Sequence, residues 1–167
     1  MPASKSNFMG VCYKQSKTYQ NYPRSITAVH LGNLKTVKLQ KYEIPANILL
    51  AIAEKEGGEP GQWASNSNDT HDVGAMQFNT AYLQDLSKYD ITANDVAKPG
   101  CYAYDLAAWH VRQHIINDKG DMWTKAANYH SRTSKYNSKY RADLITRAMK
   151  WADWLEKRFI ASDTSGQ

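Results

Sequence analysis

The sequence predicts a mainly α fold with a small irregular or β segment, and three observations support this. The chain has 167 residues, 42% hydrophobic and 22% charged, a composition typical of one soluble globular domain. Apolar residues recur at helical spacing from Thr80 almost to the end of the chain. Residues 59–79 are instead rich in Asn, Ser, Asp and Gly, which favours an irregular segment between helices.

The N-terminal part of the chain differs from the rest. We expect a polar extension over residues 1–40, the folded domain over residues 41–160 and a polar tail over residues 161–167. Within the extension, Gly32-Asn33 lies between two apolar segments and indicates a β-hairpin. The alternative is a short helix through Ile26, Val29 and His30, and the pattern alone does not decide between them.

The helices are predicted from apolar spacing and from residues suited to their ends. They are one from Pro45 to Gly57-Gly58, a short one marked by Tyr82, Leu83 and Leu86, one from Thr92 through Val96, one from Tyr102 to near Lys119 with Leu106, Trp109 and Ile116 as its apolar positions, one from Asp121 through Ala127, and one from near Ser138 that carries Tyr140, Leu144, Ala148, Trp151 and Leu155. Asn79 is expected to cap the helix that follows it.

Glu56 is the first candidate for chemistry. Helical geometry places it on the same stripe as Leu49, Ile52 and Ala53, whereas Glu54 points away. Desolvation by apolar neighbours favours the protonated form of a carboxyl, which a general acid requires. The alternative is an ordinary solvated glutamate, although negative charge in the last turn of a helix is electrostatically unfavourable.

Three sequence segments together indicate a family. They are Ala51-Ile52-Ala53-Glu54-Lys55-Glu56-Gly57-Gly58, His71-Asp72-Val73-Gly74-Ala75-Met76-Gln77-Phe78-Asn79, and Ala126-Ala127-Asn128-Tyr129-His130-Ser131-Arg132-Thr133. In this order they resemble the signature segments of the lysozyme-like lytic transglycosylases. The chain is most similar to the small peptidoglycan-degrading enzymes of type IV secretion and conjugation systems. Gly57 where Ser is commoner, and His130 where many relatives have Asn, are features of that branch.

The resemblance implies a lysozyme-like fold whose irregular or β segment forms one wall of an active-site cleft. It implies cleavage of the β-1,4 bond between N-acetylmuramic acid and N-acetylglucosamine, with Glu56 as the sole acid and base. The 6-hydroxyl of the sugar then closes on the anomeric carbon and leaves a 1,6-anhydro end, so neither a metal nor an organic cofactor is needed. The substrate-binding candidates are Met76, Gln77, Tyr129, Asp72 and His130.

Each substrate-binding candidate also has a structural interpretation. Met76 suits core packing nearly as well as a cleft, and Asp72 is suited to capping the Gly74 turn through backbone N–H groups. Tyr129 is either a phenol near the sugar or a packed helix residue. Gly74 is expected to permit a tight turn or a close approach of backbone and sugar.

Charge and localisation add weaker constraints. The net charge of +5 favours a polyanionic partner, but the basic residues are scattered, and we expect no nucleic acid as partner. No stretch approaches the roughly 20 apolar residues of a membrane span. The expected partners are glycan strands of peptidoglycan and subunits of a secretion or conjugation machine. The expected location is the periplasm or cell envelope, although these residues contain no visible export signal.

Two alternatives to the transglycosylase stay open. One is a hydrolytic muramidase on the same fold, similar to goose-type lysozymes; the other is a scaffold that binds the wall without cutting it. Two further features are given structural interpretations. His110 and His114 are interpreted as an exposed pair rather than as zinc ligands, and Cys12 and Cys101 are equally suited to pairing or to remaining free.

Overall fold

The computed structural model describes residues 42–157 and the backbone of two strands, 28–31 and 34–39. These residues belong to two compact units. One unit contains Glu56–Leu106, and the other contains the two strands, the chain up to Lys55 and the residues from Ala107 onward. The fold is mainly α with small antiparallel sheets, as the sequence predicts.

The second unit begins with a small antiparallel sheet in the order β1-β2-β3. Its strands are β1 (Ala28–Leu31), β2 (Leu34–Leu39) and β3 (Ile44–Pro45). Leu31 pairs with Leu34, so the hairpin interpretation is confirmed and the helix alternative is wrong. Gly32-Asn33, the rest of the extension, Cys12 and the predicted tail lie outside the described residues.

Helix α1 (Ala46–Glu56) follows β3 directly. It ends at Glu56 because Gly57 has a φ of 68°, the left-handed conformation that terminates helices, and the predicted stop is confirmed. The predicted single apolar stripe is incomplete, because every residue from Ala46 to Ala53 is buried. A helix that is apolar on all sides is buried on all sides, which stripe counting does not capture.

The first unit contains a second antiparallel sheet and two short helices. Its strands are β4 (Trp63–Ser65), β5 (His71–Val73) and β6 (Phe78–Asn79), and they occupy the segment predicted to be irregular. Its helices are α2 (Thr80–Leu86), followed by a 3-10 turn (Ser87–Tyr89), and α3 (Ala93–Ala97). Both predicted N-caps are confirmed: Asn79 accepts from the N–H of Ala81, and Thr92 accepts from the N–H of Asp95.

Three further helices complete the described chain. They are α4 (Tyr102–Asn117), α5 (Met122–Ala127), which Asp121 caps as predicted, and α6 (Ser134–Leu155). Helix α6 begins a turn before the predicted Ser138, because its first turn contains polar residues that give no apolar signal. One of these, Asn137, is only 4% exposed and donates to the carbonyl oxygens of Thr124 and Ser131.

The predicted apolar stripe of α6 is confirmed, since Tyr140, Leu144, Ala148, Trp151 and Leu155 are all buried. The packing position assigned to Ile116 is wrong, because that side chain is 55% exposed near the end of α4.

In the part of the chain that the structure describes, no helix combines the length and the apolar character needed to cross a bilayer. Cys101 is disulfide-bonded.

Candidate active site

Glu56 is the last residue of α1, and its side chain is partly exposed. The preceding residues of the predicted stripe are nearly inaccessible, with Leu49 at 2%, Ile52 at 0% and Ala53 at 5% exposure. The exposure of the side chains therefore rises within one turn, from the buried residues up to Ala53 to the partly exposed Glu56. The burial of its helix and the partial exposure of its side chain are compatible with a general acid, and that role of Glu56 stays a prediction.

Gly58 brings the end of this segment against the second signature segment. A Cβ added to Gly58 would stand 2.2 Å from the carbonyl oxygen of Gly74 and 2.6 Å from Nε2 of Gln77. Only a residue without a side chain permits this approach. The backbone that follows the candidate acid is therefore in direct contact with the Gly74–Gln77 turn.

Gly74 makes this turn possible. Its φ of 69° is in the left-handed region, and an added Cβ would stand 2.5 Å from the carbonyl oxygen of Val96. The turn closes when the N–H of Gln77 donates to the carbonyl of Gly74 over 3.2 Å. The expectation of a tight turn at Gly74 is confirmed, and the close approach is to Val96 of the same unit.

Gln77 is held in a strained conformation next to Gly58, two residues after the candidate acid. Its φ is 50°, unusual for a residue with a side chain, and its Nε2 donates to the carbonyl of Gly74 over 2.9 Å. Within residues 42–157 no hydrogen bond reaches its Oε1, so the amide oxygen is available to a ligand donor. Strained, partly exposed side chains of this kind are concentrated at functional sites.

Met76 does not line a cleft in this structure. Its side chain is 0% exposed and belongs to the core of its unit. The prediction of a thioether surface for a sugar ring is therefore corrected, and the core-packing interpretation is the one that the burial supports. The neighbouring Gln77 faces outward because successive residues of a turn point in different directions.

Asp72 has a different partner from the one expected. Its Oδ1 accepts a hydrogen bond from Nδ2 of Asn79 over 2.9 Å, and the two residues are paired across β5 and β6. Nδ2 of Asn79 also donates to Oγ1 of Thr70. The expected capping of the Gly74 turn by Asp72 is thus replaced by a bond that orients Asn79, the cap of α2.

Glu54 and Lys55 fasten the last turn of α1 to α6. Glu54 forms an ion pair with Arg147 over 2.7 Å and accepts from Nε1 of Trp151 over 2.7 Å. Lys55 pairs with Asp143, and this hydrogen bond lowers the pKa of the Asp143 carboxyl. Helical phase predicted only that Glu54 points away from the Glu56 stripe, and α6 supplies partners for it there.

Tyr129 follows α5 and is partly exposed. Its ring lies 5.2 Å from that of His110, centroid to centroid, at an interplanar angle of 52°. His110 in turn contacts His114, whose Nε2 lies 3.1 Å from Nε2 of His110. The tyrosine of the third signature segment therefore packs against His110, which is itself in contact with His114.

This histidine pair is fixed by Asp118. Nδ1 of His114 donates to Oδ2 of Asp118 over 2.7 Å, since an ionised carboxylate only accepts. A neutral His114 then has a bare Nε2, which accepts from the Nε2–H of His110. Burial would raise the pKa of Asp118, but hydrogen bonds from Arg132, His114 and Asn128 outweigh it and lower that pKa to about 2.

Burial also governs the two histidines. It lowers the pKa of His110 to about 3, with the neighbouring His114 adding to the effect. It lowers the pKa of His114 as well. The interpretation of an exposed pair is wrong, since His114 is 2% exposed. Among the described residues no group of His, Cys, Asp or Glu side chains has the arrangement of a metal site.

His130 is exposed and stacks on Tyr140 of α6, with ring centroids 4.7 Å apart and planes within 7°. The Lys55 ammonium lies 4.9 Å from the centre of the same Tyr140 ring. Partial burial and then the positive charge of Lys55 lower the pKa of His130, so this ring is neutral at ordinary pH. The stack joins the third signature segment to the turn that carries Lys55.

Sequence reasoning missed the contacts that α6 makes with Glu54 and with Lys55. Their partners are far away in the sequence, and only a match of opposite charges between the two helices could have indicated the ion pairs: Arg147, Trp151 and Asp143. It also missed the role of Asp118. An acid four residues after His114 on one helix face was a usable signal.

The helices, the small sheet and the placement of Glu56 at a helix end define a mainly α, lysozyme-like protein. The sequence profile described as "Transglycosylase SLT domain" matches residues 33–148. The chain belongs to this family.

Curated relatives are similar to this chain over most of the domain. "Protein IpgF" of Shigella flexneri is 26% identical over 122 residues, which are 72% of this chain and 75% of that protein. "Invasion protein IagB" of Salmonella typhimurium strain SL1344 is 26% identical over 101 residues, which are 60% of this chain and 62% of that protein.

Proposed function

We propose that the protein is a lytic transglycosylase that cuts the β-1,4 bond between N-acetylmuramic acid and N-acetylglucosamine in peptidoglycan. One observation carries the proposal: Glu56 ends a buried helix, and the backbone two residues later is packed against the Gly74–Gln77 turn. The first two signature segments of the family thus meet at Gly58, two residues after the candidate acid. The family membership supplies the substrate class.

Glu56 would act twice in the reaction. As an acid it gives its proton to the glycosidic oxygen, and the bond from that oxygen to the anomeric carbon of the muramic acid breaks. As a carboxylate it then takes the proton of the 6-hydroxyl of the same sugar, whose oxygen bonds to the anomeric carbon. An internal nucleophile has a high effective concentration, so no water is positioned and no second carboxylate is required.

The other candidate residues, each considered by itself, would bind rather than react. Oε1 of Gln77 would accept from an amide or hydroxyl of the sugar, and the strained turn holds it in place without further ordering. Tyr129 would contact the glycan with a ring supported by His110. His130, neutral and stacked on Tyr140, would offer a flat polar surface.

Product analysis tests the reaction. Purified peptidoglycan is digested with the protein, and the ends are identified by mass spectrometry, since an anhydro end is lighter than a hydrolysed end by one water. Glu56→Gln should abolish release, and Glu59→Gln, an exposed glutamate of the same unit, should leave it unchanged. Reducing ends throughout would instead establish the muramidase, and binding without release by the unaltered protein would establish the scaffold.

We also propose that the protein works in the cell envelope and opens the wall for a secretion or conjugation apparatus. The family resemblance supports this, together with a relative that is called an invasion protein. In the organism that encodes the protein, deletion of its gene should reduce assembly of the secretion or conjugation apparatus. The unaltered gene should restore it and the Glu56→Gln gene should not, whereas restoration by both would overturn the role of wall cleavage.

A further inference from the structure

Trp63 is a large aromatic side chain that the structure leaves 45% exposed. It begins β4, an edge strand, and is paired with Val73 of β5, which is itself paired with Phe78 of β6. Directly paired residues lie on the same face of a sheet, and Val73 and Phe78 are 0% and 3% exposed. The indole therefore extends a buried apolar row out to the edge of the sheet.

The backbone that presents the indole is held in place from several directions. The carbonyl of Gln62 accepts from the N–H of Gly74 over 2.9 Å, and the N–H of Gln62 donates to the carbonyl of Glu59 over 3.1 Å. Oε1 of Gln62 accepts from the N–H of Glu59, and the N–H of Gly61 donates to the carbonyl of Ala97. A rigid surface binds a ligand without an ordering cost.

The indole has an aromatic neighbour, the ring of His71, which lies edge-on with centroids 5.9 Å apart and an angle of 69°. Two residues before Trp63, a Cβ added to Gly61 would meet nothing within 4 Å. The indole is thus fixed by a neighbour while the adjoining backbone leaves open space.

Trp63 is linked through backbone contacts to Gly58, the residue two positions after the candidate acid. Gly58 touches the carbonyl of Gly74, and the N–H of Gly74 is bonded to Gln62, the residue before Trp63. All of these residues lie in one unit. Trp63 therefore flanks the turn that carries Gln77, rather than lying on an unrelated surface.

We propose that Trp63 is a sugar-stacking residue that binds an N-acetylhexosamine ring of the glycan strand. A pyranose ring presents an apolar face of C–H groups, and an exposed indole provides a flat apolar surface of matching size. The proposal rests on the proposed function, because that function supplies the glycan. Trp63 contributes to substrate binding and takes no part in proton transfer.

Binding is measured with a β-1,4-linked N-acetylglucosamine hexamer in a Glu56→Gln background, so that no turnover occurs. Trp63→Ala should weaken the affinity by about tenfold, whereas Trp63→Phe, which keeps an aromatic face, should recover most of it. The matched control is Tyr89→Ala, an aromatic residue of the same unit that is 63% exposed and belongs to the 3-10 turn after α2. It should leave the affinity unchanged.

Tryptophan fluorescence gives a second measurement. The chain has five tryptophans, and the hexamer should change the emission of the Glu56→Gln protein. With Trp63→Phe added, most of that change should disappear. In the catalytically intact protein, Trp63→Ala should raise KM for solubilised wall about tenfold and change kcat little.

The outcomes separate this inference from the proposed function. Equal affinity of the Trp63→Ala and unaltered proteins for the hexamer, with both folded by circular dichroism, would overturn the role of Trp63. Loss of affinity that Trp63→Phe also fails to restore would overturn stacking. If the wall is never cleaved but the hexamer binds through Trp63, the transglycosylase proposal fails and the stacking site stands.

Discussion

Gly58 and Gly74 meet backbone to backbone, with room for no more than hydrogen on Gly58, because an added Cβ would stand 2.2 Å from the carbonyl oxygen of Gly74. That oxygen also accepts two hydrogen bonds from Gln77, from its N–H and from its Nε2. One carbonyl therefore organises the junction of the first two signature segments. Its position depends on the absence of a side chain two residues after Glu56.

Gly58→Ala should damage this junction. The extra methyl group has to displace the Gly74–Gln77 turn, which costs about 1–3 kcal/mol of unfolding free energy as overpacking does elsewhere. Wall cleavage should fall by more than the loss of folded protein explains, because Gln77 moves with the turn. Urea denaturation and wall digestion measure the two effects.

The control for this substitution is Gly100→Ala. Gly100 has a φ of 128° but nothing within 4 Å of an added Cβ, so only backbone strain of roughly 1–3 kcal/mol applies. Stability should fall while cleavage per folded molecule is kept. A Gly58→Ala protein that cleaves wall as well as Gly100→Ala does would show that the junction is irrelevant to the site.

Glu54→Gln should produce the opposite result from Glu56→Gln. It removes the charge that faces Arg147 and keeps an oxygen that can accept from Nε1 of Trp151. Loss of this half-buried pair should lower the unfolding free energy by about 1–2 kcal/mol and leave cleavage per folded molecule nearly unchanged. Glu56→Gln should abolish cleavage at nearly unchanged stability.

Chemical denaturation and wall digestion of the two variants, side by side, make this comparison. An inactive, fully folded Glu54→Gln protein together with an active Glu56→Gln protein would reverse the assignment of the acid.

His110 should make stability depend on pH. Burial lowers its pKa to about 3, whereas a histidine in an unfolded chain titrates near pH 6.5. Between these values the unfolded state binds more protons, so stability falls as the pH falls. His114 and Arg132 face the same cluster and lower the pKa of His110 further, whereas the charge of Asp118 raises it.

The variant that isolates this effect is His110→Phe, which keeps a ring beside Tyr129. Between pH 7 and pH 4 the unaltered protein should lose roughly 2–3 kcal/mol more than the variant does, by denaturant titration at each pH. The comparison uses the slopes with pH, because the lost bond to His114 lowers the variant at every pH. Parallel slopes would mean that His110 has the same pKa in the folded and unfolded states, so that burial does not lower it.

Local sequence signals predicted much of this fold. Asn79, Thr92 and Asp121 cap helices where their side-chain chemistry placed them, and Gly57 ends α1. These features depend on residues a few positions apart, so a linear pattern contains them.

What the sequence did not predict depends on partners distant along the chain. The burial of Met76 and of His114 follows from packing, and no nearby residue indicates it. For the same reason the ion pair of Glu54 with Arg147 was missed. At the candidate site, the exposure of Trp63 became apparent only in three dimensions. The roles of Glu56, Gln77, Tyr129 and His130, which the signature segments indicated, stay predictions.

The fastening of α1 to α6 constrains how related chains can diverge. Glu54 faces Arg147, Lys55 faces Asp143, and Arg147 also reaches Asp143 over 3.2 Å, so four alternating charges form one continuous chain of ion pairs. Reversing a single sign would set like charges against each other beside Glu56. We expect these four positions to covary among homologues, exchanging sign together or turning neutral together.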